Sequence, residues 1–299
     1  MPEATKYTYL TPETVSKFAN LELLAQGIVE GFIAGLHKSP HHGFSVEFAE
    51  YREYVPGDPI RHIDWTIYGR NDRLVIRQYE QETNLRATVV LDASKSLDFK
   101  SGSPITKFQF GCYCAAALVA MLHRQQDAIG LVTHASKIDT FFPPRTSAIA
   151  MRENLLHLDA LKPGGQSDLA SIYHELAERL PRRSLVILLT DLFDDPQRIA
   201  AGLRHLRHRR HEVILLHLLD DAELNFPYRG LIDFRDLETG ERMEVEAELV
   251  RDAVQESVRE FIAHWRRICG DARIDYHVLN TAGPFDRALA AYLVRRMSR

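Results

Sequence analysis

Cysteine is scarce in this sequence. The 299 residues include only three, Cys112, Cys114 and Cys269. An odd number of cysteines without zinc-ligand spacing excludes a disulfide framework and a zinc finger. Two of the three fall in an apolar pattern of helical spacing, so we expect them in a hydrophobic core. The sequence therefore indicates a reducing compartment.

A long hydrophobic segment is also missing. The longest apolar run extends from Cys112 to Leu122, which is too short to span a bilayer. Residues 1–6 do not begin a secretory signal, because no charged segment leads into an apolar core. We therefore expect a cytoplasmic protein without direct membrane insertion.

An excess of positive charge is absent too. The net charge is −4 and the isoelectric point is about 6.4, which argues against bulk attraction to nucleic acid. The chain also lacks a phosphate-binding loop of the Gly-x-x-x-x-Gly-Lys-Ser/Thr type and a Gly-x-Ser-x-Gly nucleophile turn. These absences argue against ATP hydrolysis by this chain and against a serine hydrolase.

Apolar runs and helical patterns alternate from residue 86 to the end of the chain. The strand predictions are 86–92, 127–133, 185–191, 212–218 and 274–279, with helical patterns between them. Such alternation predicts an α/β fold with a mostly parallel sheet and helices on both faces. A helix that starts at Thr11 and ends near Gly35 precedes a small β-rich element. We therefore expect two parts, residues 1–85 and residues 86–299.

Two of the predicted strands end on an aspartate. The first is followed by alternate serines, in the order Asp92, Ser94 and Ser96, and the second ends at Asp191. A glycine-rich loop adds Ser167. The carboxyl ends of parallel strands meet at one edge of the sheet, where open α/β sheets bind ligands. Carboxylates and hydroxyls suit a hard cation such as Mg2+, with Mn2+ or Ca2+ as alternatives.

Two other interpretations of these residues remain open. Aspartates at parallel strand ends also occur in metal-dependent hydrolases and phosphotransferases. Ser94, however, stands two residues after Asp92, where such an enzyme would need a second acid for proton transfer. The remaining alternative is a structural scaffold that holds no ion.

The same motifs resemble a known family. Asp92-x-Ser94-x-Ser96, the loop that contains Ser167, and the Thr190-Asp191 strand end resemble the metal-ion-dependent adhesion site of von Willebrand factor A domains. The upstream segment is similar to the signature of the DUF58 family. That similarity rests on the motif Tyr-Arg-x-Tyr-x-Pro-Gly-Asp-x-x-Arg-x-Ile-Asp-Trp, which contains Arg52, Asp58, Arg61, Asp64 and Trp65.

The resemblance implies a Rossmann-like von Willebrand A domain from residue 86 onward and a non-enzymatic role in complex assembly or maturation. An ion at the adhesion-type site would bind an acidic residue of a partner. The implied partner is a MoxR-type AAA+ ATPase, or a client complex of that ATPase. Lys95 lies inside the first loop, and we expect it to project into solvent.

The five signature residues carry opposite charges and an aromatic ring within a short segment. They are expected to form either a structural ion-pair network or a docking surface for a partner.

Overall fold

The computed structural model describes residues 20–38, 51–54, 65–71, 73–77, 85–237, 240–285, 289–290 and 292. The chain divides into two compact units. One unit is Gly35–Asn84, and the other combines the chain from Leu85 onward with helix α1 (Leu21–Lys38) as far as Ala34. The sequence predicted a break near residue 85 but grouped the first helix with the β-rich element. The predicted start of that helix at Thr11 lies outside the described residues.

The smaller unit contains a short antiparallel pair, β1 (Tyr51–Glu53) and β2 (Val75–Arg77), and helix α2 (Trp65–Asn71). Of the five signature residues, Arg52 lies in β1 opposite Ile76, and Trp65 is the first residue of α2. The other three, Asp58, Arg61 and Asp64, lie outside the described residues.

The larger unit is built on a six-stranded sheet in the described part of the chain. Its strands are β3 (Arg86–Asp92), β4 (Ala128–His134), β5 (Ile138–Arg145), β6 (Leu185–Thr190), β7 (Glu212–Leu219) and β10 (Asp275–Asn280). Their order is β10-β7-β6-β3-β4-β5, and every neighbouring pair is parallel except β4 with β5. The expected mostly parallel α/β sheet is therefore confirmed, and its order is that of Rossmann-like folds.

Helices and one hairpin complete this unit. The helices are α3 (Lys107–Arg124), α4 (Ala148–Ala160), α5 (Leu169–Arg179), α6 (Pro196–His208), α7 (Asp221–Asn225) and α8 (Ala247–Asp271). The hairpin pairs β8 (Leu231–Arg235) with β9 (Arg242–Glu246).

Successive residues of β3 pack against opposite layers of helices, because side chains alternate along a strand. Val90 belongs to the core that α5, α6 and α8 form around the buried Trp265. Leu91 points to the other face, where α3 packs so closely that a Cβ on Gly111 would lie 3.0 Å from the Leu91 side chain. Both faces of the sheet are therefore covered.

The chain leaves the sheet centre in two directions. From β3 it continues to β4 and β5 on one side, whereas β6, β7 and β10 lie on the other. In open α/β sheets, the crevice at the carboxyl ends of the two strands where this direction changes is the usual ligand site. Here those strands are β3 and β6, which end at Asp92 and next to Asp191.

Replacing Gly202 with alanine is expected to destabilise the fold. A Cβ at this position in α6 would lie 2.8 Å from the Tyr173 Cβ and 3.2 Å from the Ala170 carbonyl oxygen. Overpacking of this kind costs about 1–3 kcal/mol, and urea unfolding would measure it. Gly27→Ala in α1 is the matched control, because nothing lies within 4 Å of its Cβ. That variant should gain up to about 1 kcal/mol from helix propensity; equal effects of both variants would contradict the close α5–α6 contact.

Candidate functional site at the carboxyl edge of the sheet

The loop after β3 brings three oxygen-bearing side chains together. Asp92 and Ser94 have no exposed surface, and the Asp92 Oδ1 accepts a hydrogen bond of 2.9 Å from the Ser94 backbone N–H. The Ser94 and Ser96 hydroxyl oxygens are 3.0 Å apart. Lys95 is exposed, as the sequence predicted. The first loop therefore gathers one carboxylate and two hydroxyls, and its lysine lies on the outside.

The end of β6 meets the same carboxylate. The Thr190 hydroxyl donates to the Asp92 Oδ2 at 2.8 Å, and its oxygen also accepts from the Leu192 N–H at 3.1 Å. Asp92 is thus held on both carboxylate oxygens, and the second contact is possible because β3 and β6 are neighbouring strands.

The glycine-rich loop is bonded to the first loop through its backbone. The Gly164 N–H donates to the Ala93 carbonyl at 2.8 Å, and the Lys95 N–H donates to the Gly165 carbonyl at 3.0 Å. Ser167 follows in this loop, and its hydroxyl oxygen is buried without a hydrogen-bond partner. A buried polar atom without a partner is costly, so the Ser167 hydroxyl is free to accept a ligand.

Asp191 lies at the same edge, but its carboxylate already has a cationic partner. The Lys107 ammonium donates to the Asp191 Oδ2 at 3.0 Å and to the Glu223 Oε1 at 2.8 Å. The Lys107 and Asp191 residues are only 3% and 5% exposed. The Asp191 Oδ1 accepts from the Phe193 N–H at 3.3 Å. The structure therefore brings Asp191 close to the predicted position and pairs it with a buried ammonium.

Two histidines lie next to these aspartates. His134 ends β4 opposite Asp92, and its Nδ1 is buried without a hydrogen-bond partner. The ring of His217 on β7 lies between the Asp191 carbonyl and the Tyr276 hydroxyl, at 3.1 and 2.7 Å. Because a carbonyl only accepts, the His217 Nε2 carries the proton and the Tyr276 hydroxyl donates to its Nδ1.

Burial and neighbouring charges shift the pKa values of Asp92 and Lys107. Burial raises the pKa of Asp92, and the nearby Asp191 raises it further, while His134 and the Ser94 N–H lower it. A neighbouring cation would therefore relieve an unfavourable buried charge. Burial lowers the pKa of Lys107, but the carboxylates of Asp191 and Glu223 outweigh it, so that this pKa is raised overall. Lys107 is thus a permanent positive charge.

The donor set for an ion consists mainly of hydroxyls. Among the described residues, no group of three or more histidine, cysteine or acidic side chains is arranged to hold a metal ion. The oxygens of Asp92, Ser94, Ser96 and Ser167 fit the preference of Mg2+ for oxygen ligands. Asp191 fits that role less well, because one of its oxygens is bound to an ammonium.

A small cavity of about 150 Å³ adjoins this edge. Its lining includes Ser96, Lys107, Asp191 and Phe193, and Phe193 is 62% exposed.

The sequence reasoning missed Lys107, Glu223 and the two histidines. Lys107 had a recognisable signal, since it follows Thr106, the residue that caps α3. A cation at the positive end of a helix is unfavourable by up to about 1 kcal/mol, which acidic partners would offset. The sequence does not reveal Glu223 as one of them, because that contact spans 116 residues.

The fold and the site together define an α/β protein of Rossmann-like type with a polar, oxygen-rich site at the switch point of its sheet. The chain belongs to the family described as "Protein of unknown function DUF58", which matches residues 50–263.

Two relatives in mycobacteria bear the name "uncharacterized protein". The chain is 28% identical over 233 residues to the uncharacterized proteins Rv1480 of Mycobacterium tuberculosis and Mb1516 of Mycobacterium bovis. The match covers 77% of this chain and 72% of each relative.

Two solved structures resemble the fold. The conserved hypothetical protein BatB of Bacteroides thetaiotaomicron is 14% identical, with a TM-score of 0.49 over 72% of this chain and 98% of that one. An aerotolerance-related membrane protein of Bacteroides fragilis is 15% identical, with a TM-score of 0.46 over 71% and 97% of the two chains. In the part of this chain that the structure describes, none of the helices has both the length and the apolar character that a membrane span requires.

Proposed function

We propose that this protein is a non-enzymatic interaction module that binds a partner through a divalent cation at the carboxyl edge of its sheet. The observation that carries the proposal is the buried Ser167 hydroxyl without a partner. Its loop is bonded to the loop that holds Asp92, Ser94 and Ser96. One carboxylate and three hydroxyls from two bonded loops support this proposal, because hydroxyl-rich sites of this kind resemble the adhesion-type site of von Willebrand factor A domains.

The residues that would hold the ion are Asp92, Ser94, Ser96 and Ser167. When bound, Mg2+ would supply a positive charge that attracts a carboxylate from a partner. Mn2+ and Ca2+ accept the same oxygen ligands and are the alternatives. Because hydroxyls are neutral, three of these four ligands leave the charge of the ion uncompensated. The site would therefore favour an acidic side chain as its remaining ligand.

The proposed partner is a MoxR-type AAA+ ATPase or a client complex that this ATPase remodels, in the cytoplasm. Similarity to DUF58 proteins supports this partner. The exposed Phe193 next to the cavity would add apolar contact area around an incoming acidic residue.

The loop after β3 favours binding over catalysis. Ser94 stands two residues after Asp92, where a metal-dependent hydrolase or phosphotransferase would need a second acid for proton transfer.

Capture of the purified MoxR-type ATPase of the same host on the immobilised protein tests this proposal. Binding is expected in Mg2+ and is lost in EDTA, and Ser167→Ala should reduce it at least tenfold. Ser257→Ala on α8 is the matched control, because the Ser257 hydroxyl donates a hydrogen bond to the Ala253 carbonyl within the helix. Binding that survives EDTA, or that both serine variants lower equally, would rule out a metal-bridged contact.

A further inference from the structure

The Lys107 ammonium is a buried cation at the positive end of a helix. It is the first residue of α3, where the helix end repels positive charge. Its side chain is 4% exposed and contacts both Asp191 and Glu223. Placing a lysine in such a position is unfavourable unless its partners compensate it. The ion pair with Asp191 is therefore a specific structural interaction at the edge of the site.

We propose that Asp191 binds the Lys107 ammonium and is not a ligand of the divalent ion. Among the described residues the bound ion would then have Asp92 as its single carboxylate ligand, together with the hydroxyls of Ser94, Ser96 and Ser167. Lys107 is thus a residue that sets the specificity of the site for an acidic partner. This inference rests on the proposed function and deepens it.

The charges explain what Lys107 would do. Counting only its own ligands, a divalent ion on Asp92 keeps one net positive charge, because Asp191 is bound to Lys107, whose second partner is the partly exposed Glu223. If Asp191 were free to bind the ion, the net charge would fall to zero. The ion would then be held more tightly and would attract a partner carboxylate less strongly. Lys107 therefore lowers the affinity for the ion and raises the affinity of the ion for acidic groups.

The charge-neutral double variant Lys107→Met/Asp191→Asn tests the assignment. Calorimetric titration with MnCl2 should give an affinity within about threefold of wild type, because the variant removes a pair that the ion does not use. If Asp191 is itself an ion ligand, the same variant will lose about a hundredfold or more, because the attraction between the ion and that carboxylate is lost. That loss would overturn the proposal.

The single variant Lys107→Met should change the affinity for Mn2+ and the affinity for the partner ATPase in opposite directions. Its Mn2+ affinity is expected to rise about tenfold, while capture of the ATPase falls. Lys107→Met/Glu223→Gln is a second variant in case two unpaired carboxylates prevent folding. An Mn2+ affinity that stays the same or falls in the variant that folds would overturn the proposal.

A measurement without metal separates this proposal from the proposed function. In EDTA, Lys107→Met and Asp191→Asn should each lower the urea midpoint of unfolding, and the double variant should regain at least half of the combined loss. Strictly additive losses would overturn the pairing of Lys107 with Asp191. If wild type and Asp92→Asn both give no heat with Mn2+, the proposed function fails. Non-additive losses of stability in the Lys107→Met and Asp191→Asn cycle would still support the pairing of Lys107 with Asp191.

Discussion

Replacing Asp92 with asparagine is expected to abolish divalent-ion binding, with a loss of about three orders of magnitude in affinity. The carboxylate of Asp92 is fully buried, and both of its oxygens are held by hydrogen bonds. Opposite charges at about 4 Å interact by about 4 kcal/mol at an effective dielectric constant of about 20, which corresponds to about a thousandfold in affinity. Titration of the purified protein with Mg2+ and Mn2+ measures the loss.

The same substitution should leave the ion-free protein at least as stable as wild type. Burial raises the pKa of Asp92, because the ionised carboxylate is less well solvated in the folded protein than in water. Asparagine keeps an oxygen for the Ser94 N–H, and its amide group can donate to the Thr190 hydroxyl. Urea unfolding in EDTA is the measurement.

The matched control is Asp159→Asn, which removes an exposed carboxylate from α4. It should keep wild-type ion binding and stability. If Asp92→Asn instead destabilises the ion-free protein strongly and binds Mn2+ normally, Asp92 is a structural residue that closes a turn, and the site holds no ion.

The position of Asp92 illustrates what local sequence patterns can predict. A short β-branched run that ends in polar residues predicted a buried strand, and β3 has that form, with Ala87 to Asp92 buried. The rule that parallel strands end at one edge then placed Asp92 near the β6 end, in agreement with the Thr190 contact. The loop that contains Ser167 was predicted to join them, and its backbone is bonded to the Asp92 loop.

Long-range charge pairing could not be predicted in the same way. The sequence predicted Asp191 as an ion ligand because it follows the end of a strand, but it gave no indication of the ion pair that Asp191 forms. Its partner Lys107 comes from α3, and the second carboxylate comes from Glu223 in α7. These contacts depend on how helices pack over the sheet edge, which hydrophobic periodicity does not specify.

The grouping of α1 was missed for a similar reason. Helical spacing predicted an amphipathic helix, and Leu24, Ala25 and Ile28 are indeed buried. Periodicity gives the buried face of a helix but not the surface that covers it. The helix was therefore assigned to the neighbouring sequence segment, whereas as far as Ala34 it groups with the α/β unit.

Acid should destabilise this protein through His217, by roughly 3 kcal/mol in total. The ring is buried among the Asp191 carbonyl, the Tyr276 hydroxyl and the Phe261 ring, and the charges of Asp191 and Lys107 face it. Burial lowers the pKa of His217 from 6.5 to about 4. Every tenfold loss of proton affinity in the folded state corresponds to about 1.4 kcal/mol.

The direction of the effect follows from proton uptake. Below about pH 6.5 the unfolded chain binds a proton at this histidine, whereas the folded protein resists it down to a pKa of about 4. The unfolded state therefore binds more protons in this window, and the free energy of unfolding falls as the pH falls. The contribution of His217 is complete above about pH 6.5 and is lost progressively between that value and about pH 4.

Burial also lowers the pKa values of other histidines, such as the buried His211 and the partly buried His277, so only a difference between variants isolates His217. His217→Gln keeps a donor for the Asp191 carbonyl and an acceptor for Tyr276 but does not titrate. Urea unfolding at several pH values should give a shallower slope for this variant than for wild type. Parallel curves for wild type and His217→Gln would mean that the ring takes up its proton without opening the contact with the Asp191 loop.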